Sequence, residues 1–264
     1  MCGIAGYSLQ ASSSVSRTLA AQALLAAIAE RGADAAGYAH RTPDARLTVH
    51  KQRTGASALL DRISVPEDAT QALIHVRDYT KGHPTVEANN HPVRHGTVVG
   101  VHNGIILNDE EIFERHGFER DAPRQTVDTE AILALAESTD SSAEALEELH
   151  GSMATAWVDE RDVDTVFVAR GVGRPLWLGT GKHEAFFAST KRALELVERY
   201  ARVRLRKGEV AEGTLLALED GKVARRESFT PTREYEESAL PAVRAPHEGK
   251  ACLRRLAAIA ATLG

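Results

Sequence analysis

The chain has 264 residues, 43% of them apolar and 26% charged, with a formal net charge of −5. That is enough apolar content to bury a substantial core, and an acidic balance without any dense basic run argues against nucleic acid as a partner. Two cysteines, Cys2 and Cys252, cannot build a disulfide framework or a four-thiolate metal site, so a reducing cytoplasm is the expected compartment.

In chain order, residues 2–9 read as a short apolar strand. "SSSVSRTLAAQALLAAIAERG" reads as a helix with N-caps at Ser12–Ser14, a core face of Leu19, Leu24, Leu25 and Ile28, and Gly32 as its C-terminal glycine. Arg17, Gln22 and Glu30 punctuate its apolar run, which is too short to span a bilayer, so no membrane association is expected. "GYAHRTPDARLTVHKQ" suggests a hairpin turned at Pro43–Asp44, and a short helix is predicted over 55–63. "QALIHVR" reads as a buried strand ending at Arg77. Residues 78–96 form a long polar loop of the length that usually carries function.

"TVVGVHNG" predicts another buried strand that stops at Asn103–Gly104, followed by helices near 108–116 and from Thr126 to 138. Strand patterns dominate from 151, in "MATAWVD", "TVFVAR", "PLWLGT" and "AFFAST". A helix over 190–199 and a hairpin turned at Asp220–Gly221 complete the series. Residues 2–230 are expected to form one domain, and 231–264 a charged, proline-rich tail ending in a short amphipathic helix with Cys252 as a packing residue. Strands in two groups with helices between and after them favour an α+β fold.

Cys2 is the first chemical candidate. A cysteine in a strand is by default a small apolar residue. Removal of Met1 would instead give Cys2 a thiol and a free α-amine, and an amine with a pKa near 8 can take the thiol proton. Asn103 and Gly104 offer an amide and a backbone N–H for an oxyanion, or simply an Asn-Gly turn. Arg77 can grip a carboxylate with both arms, with Thr80 as an added donor, or remain a solvated strand-end arginine. Asp128 can pair with a substrate ammonium or complement a helix N-terminus.

Together, "CGIAG", "RGADAAG" (31–37), "HVRDYTKG" (75–82), "NNHP" (89–92), "HNGII" (102–106) and "DTE" (128–130) occur in an order that resembles the glutaminase domain of class II glutamine amidotransferases. These are N-terminal-nucleophile hydrolases, and the glucosamine-6-phosphate synthase branch is the most similar. "ARGVGRPLWLG" (169–179), "FFASTKRAL" (186–194) and "LRKGEVAEG" (205–213) extend the resemblance over roughly 2–230. It implies a four-layer αββα sandwich and a γ-glutamyl thioester on Cys2. It also implies an oxyanion hole from Asn103 and Gly104, a carboxylate grip by Arg77 and Thr80, and an ammonium site at Asp128. Arg31 and His91 match supporting positions.

Two departures accompany the resemblance. Asp78 and Lys81 stand where that synthase carries Trp and His, in a loop that closes over glutamine and gates ammonia. The 34 residues after Thr230 are too few for a sugar isomerase, a phosphoribosyltransferase or an ATP-dependent synthetase. The expected function is therefore glutamine hydrolysis to glutamate and ammonia by a stand-alone subunit serving a separate acceptor enzyme. The alternatives are an amidase for another γ-glutamyl amide, or a non-catalytic glutamine-sensing or interaction module. No cofactor is implied, and no metal-ligand pair stands out among the 11 histidines.

Overall fold

The computed structural model describes residues 2–42, 44–235 and 241–263, so Pro43 of the expected 43–44 turn lies outside the described residues. Two antiparallel sheets are stacked face to face with helices outside each. The first sheet contains β1 (Gly3–Leu9), β2 (Ala35–Arg41), β3 (Leu47–Gln52), β4 (Gln71–Arg77), β9 (Trp177–Thr180), β10 (Glu184–Ala188) and β11 (Arg206–Glu209), in the order β11-β9-β10-β1-β4-β2-β3. The second contains β5 (Val93–His95), β6 (Val98–Ile106), β7 (Gly151–Asp159), β8 (Asp162–Arg170), β12 (Thr214–Glu219) and β13 (Lys222–Ser228), in the order β13-β12-β8-β7-β6-β5.

Three apolar layers follow from this stacking. Ile4, Leu73, Val99, Val101, Phe187 and Leu216 fill the space between the sheets. Outside the first sheet, α1 (Arg17–Ile28), α4 (Lys191–Ala201) and α5 (Pro246–Leu263) supply Leu24, Leu25, Leu194, Cys252 and Leu256. Outside the second, α2 (Asp109–His116) and α3 (Thr129–Ser138) supply Ile112, Ile132 and Leu133 against Trp157 and Phe167. The architecture is the αββα, α+β sandwich. Inner strands β1, β2, β4 and β7 are buried on both faces, which explains their continuous apolar runs. Edge strand β13 carries Lys222, Arg225, Arg226 and Glu227, charges that discourage pairing with another chain.

Several local expectations change. Ser16, not Ser12–Ser14, caps α1, its hydroxyl accepting from the Leu19 N–H. Gly32 is extended rather than left-handed. Its lack of a side chain is needed for space, because a Cβ there would lie 2.3 Å from the Arg77 carbonyl oxygen. The helix expected at 55–63 is two 3-10 turns, Ala56–Ala58 and Leu60–Arg62. The polar loop ends early, because Val93–His95 pairs with β6. The strand expected to stop at Asn103–Gly104 continues to Ile106 in register with β7, so this pair lies inside β6 and is not a turn. The Asp220–Gly221 turn does join β12 to β13, with φ of 48° and 72°.

Candidate active site

Cys2 is half-buried immediately before β1. Strand β1 is wedged between β4 and β10, and Ser189 locks its start by accepting from the Ile4 N–H at 2.9 Å. The Cys2 thiol donates to the Asp78 carbonyl at 3.5 Å, and the Cys2 carbonyl accepts from Arg31 Nε at 2.8 Å. A carbonyl can only accept, so the Asp78 contact belongs to the protonated thiol. Burial pushes the thiol pKa up, and the nearby Arg77 guanidinium opposes that shift.

Arg77 ends β4 and is 1% exposed. Its Nη1 donates to Asn90 Oδ1 at 2.6 Å, and its Nη2 to the carbonyls of Lys81 (2.8 Å) and Gly82. The guanidinium thus folds its own loop around it. Burial lowers its pKa, while the fields of Cys2, Asp128 and Asp34 raise it, which places all three near its charge. Asn90, buried and in the "NNHP" stretch, passes the tie on by donating to the Pro84 carbonyl at 2.9 Å. Lys81 turns away to Asp109 Oδ1 at 2.6 Å, and Thr80 is exposed on the loop.

Asp128 occupies the N-cap position of α3 but makes no side-chain cap. Its Oδ2 accepts instead from the Ile106 N–H at 2.7 Å, which aims the carboxylate at β6. Two residues back on that strand, Gly104 has φ of 150°. A Cβ there would lie 1.9 Å from the Ser152 carbonyl oxygen, so only glycine fits. Asn103 is fully buried, and neither its Oδ1 nor its Nδ2 has a hydrogen-bond partner among the described residues.

Behind these groups lies a column of buried histidines. His75 Nε2 donates to the His102 carbonyl at 3.0 Å and its ring stacks on His91 at 4.0 Å. His91 Nε2 and His102 Nδ1 both reach Thr129 Oγ1, at 2.8 and 3.2 Å. His91 therefore packs behind the site. Sequence reasoning overlooked His75, Asn90, His102 and Thr129, although each stands inside or beside a quoted motif. It also overlooked Arg174, a buried arginine from "RGVGRP" whose charge the Cys2 and Tyr235 groups stabilise against the cost of burial. Among the described residues there is no His/Cys/Asp/Glu cluster able to hold a metal ion, and no helix long and apolar enough to cross a membrane.

Residues 79–196 match the glutamine amidotransferase domain family. The chain is 32% identical over 226 residues to the isomerizing glutamine–fructose-6-phosphate aminotransferase of Vibrio parahaemolyticus, covering 81% of this chain and 35% of that protein. Its Pseudomonas putida counterpart is 35% identical over 196 residues, 69% of this chain and 31% of that protein. The chain thus spans about a third of the length of these curated relatives. Among solved structures, the glutamine phosphoribosylpyrophosphate amidotransferase of B. subtilis, complexed with ADP and GMP, superimposes with a TM-score of 0.67 at 22% identity, over 87% of this chain and 49% of that one. A structure described as the allosteric regulatory enzyme of purine biosynthesis gives 0.69 at 21%, with the same coverage. At such identity the likeness establishes the fold alone, the two-sheet sandwich with helices outside each sheet.

Proposed function

This chain carries a class II glutamine amidotransferase domain, and from that premise we propose that it hydrolyses the side-chain amide of glutamine with Cys2 as nucleophile, in the cytoplasm. The observation that carries this reading is the buried amide of Asn103, which lacks a protein partner among the described residues. Leaving such a group unpaired costs about 1–3 kcal/mol, a cost best explained by a ligand oxygen that uses the amide.

In the proposed cycle, removal of Met1 frees the α-amine of Cys2. The amine takes the thiol proton as sulfur attacks the amide carbon, and Asn103 Nδ2 and the Gly104 N–H donate to the resulting oxyanion. Collapse breaks the C–N bond, and the ammonium gives its proton to the leaving nitrogen, releasing ammonia and a γ-glutamyl thioester. Water, deprotonated by the same amine, then attacks the thioester and frees glutamate. Arg77 holds the α-carboxylate, which takes over the arm now shared by the Lys81 and Gly82 carbonyls. Thr80 adds a hydroxyl when the loop closes. Asp128 holds the α-ammonium through the oxygen left over from its bond to Ile106. Arg31 fixes the Cys2 backbone, and His91 supports the floor.

Ammonia is proposed to pass to an acceptor enzyme on a separate chain. The grips at Arg77 and Asp128 would serve any γ-glutamyl amide equally, so a panel of such amides beside glutamine defines the substrate. Purified protein is expected to lack Met1 by intact mass and to release glutamate and ammonia in equal amounts. Cys2→Ala should reduce turnover by about 10³-fold or more while glutamine still binds. Turnover surviving that change would move the nucleophile elsewhere.

A further inference from the structure

The segment before α5 returns to the site from the far end of the sequence. The Arg244 and Ala245 N–H groups both donate to the Glu30 carbonyl at 2.9 Å, one residue before the arginine that bonds Cys2. Pro246 then starts α5, and the Glu248 carboxylate accepts from Ser57 N and Oγ at 2.8 and 3.1 Å. Cys252 and Leu256 are fully buried against the first helical layer. Arg244 is therefore delivered by an anchored element, and its Nε reaches Asp78 Oδ2 at 3.1 Å.

Asp78 is the residue whose carbonyl receives the Cys2 thiol, and it follows the buried Arg77. Neighbouring contacts hold the same stretch. The Asp34 N–H donates to the Arg77 carbonyl at 3.0 Å, and the Tyr79 N–H to Asp34 Oδ2 at 2.9 Å. Arg244 is the one contact of this set that comes from the C-terminal segment.

We propose that Arg244 is a positioning residue for the Cys2 site, holding the Asp78 carboxylate in a charge pair beside the thiol. A half-exposed ion pair adds little to stability. Its effect here is local, because a carboxylate that loses one counter-charge next to a thiol disfavours the thiolate. The charged groups facing Cys2 are the N-terminal amine, Arg77, Asp78, Arg31 and Arg174. Only the Asp78 carboxylate among them opposes ionisation, and Arg244 pairs with it.

The test compares wild type, R244K, R244Q, D78N and D78N/R244Q by the rate of Cys2 alkylation with iodoacetamide across pH, read by mass spectrometry with buried Cys252 as internal control. Glutamine kinetics are measured alongside. R244Q should slow alkylation at pH 7 by about three- to fivefold, the scale of an exposed ion pair, and move its rate profile to higher pH. It should lower kcat/KM for glutamine by a similar factor. R244K should stay near wild type, and D78N/R244Q should regain the alkylation rate that R244Q loses. Alkylation by R244Q at the wild-type rate, or a double variant no faster than R244Q, overturns the proposal. Should R244Q fail to fold, D78N alone decides, since faster alkylation is expected and an unchanged rate overturns. The kinetic arm rests on the proposed glutaminase function. Absence of turnover in wild type would sink that function and leave the alkylation comparison intact.

Discussion

Gly104 is the residue on which the proposed oxyanion geometry turns. It sits within a paired strand at φ of 150°, pressed on the Ser152 carbonyl, and His102 Nε2 would lie 2.6 Å from any Cβ. Gly104→Ala is therefore expected to destabilise the fold by about 2–4 kcal/mol, combining backbone strain with a steric clash. Urea unfolding checks this, and a loss under 1 kcal/mol would mean that the strand yields there. At this scale the sequence was partly legible. Cys2, Arg77, Asn103 and Asp128 are singled out by their residue types and order, and the charges of Cys2 and Asp128 both act on Arg77. What could not be read was which bond each makes. Nothing in "DTE" says that Asp128 leaves its own helix uncapped to accept from Ile106. Nothing in "HVRDYTKG" says that Arg77 binds carbonyls of its own loop. Such choices depend on how a loop folds back and on which strand faces a helix end, and neither has a local signature.

Elements show the same division. Strand β4 and the β12–β13 hairpin match their expected bounds closely, because a continuous apolar run and an Asp-Gly turn are strong local signals. Strand β11 went unread, since "RKGE" has no apolar alternation and is held by pairing with β9 and by the Lys207–Glu198 and Arg170–Glu209 ion pairs. The C-terminal helix is longer than its apolar pattern suggested, beginning at Pro246, where a missing N–H costs nothing. Its attachment rests on a few buried side chains. Leu256→Ala should cost about 2–5 kcal/mol if α5 unfolds with the rest of the chain. Denaturant unfolding followed by circular dichroism checks this. A smaller loss, with α5 melting in a separate early phase, would mark the helix as an independent unit.

For the whole molecule, the histidine column is one polar tie between the sheets, because His75 stands on β4 of one and the His102 carbonyl on β6 of the other. Burial holds His75, His91 and His102 below the ordinary histidine value, His75 at about 3. The unfolded chain therefore binds more protons than the folded one between those depressed values and about pH 6.5, so stability rises with pH across that window. It should be full above about pH 6.5 and fall on acidification by up to about 1.4 kcal/mol per pH unit for each histidine. Urea unfolding at pH 7.5 and 5.5 measures the slope. Equal stability at the two values would mean that the column accepts protons without loss of the fold.

The placement of β1 also bears on the order in which the site can form during synthesis. The strand behind Cys2 is made before its partners, for Ile4 waits for Ser189, 185 positions later, and Asp78 waits 166 positions for Arg244. Closing loops of that span is slow, and contacts so distant in sequence form late in folding. Until β10 pairs beside it, the strand next to Cys2 has an open edge. A nascent chain would thus carry its thiol well before it owns the surroundings proposed to make that thiol reactive.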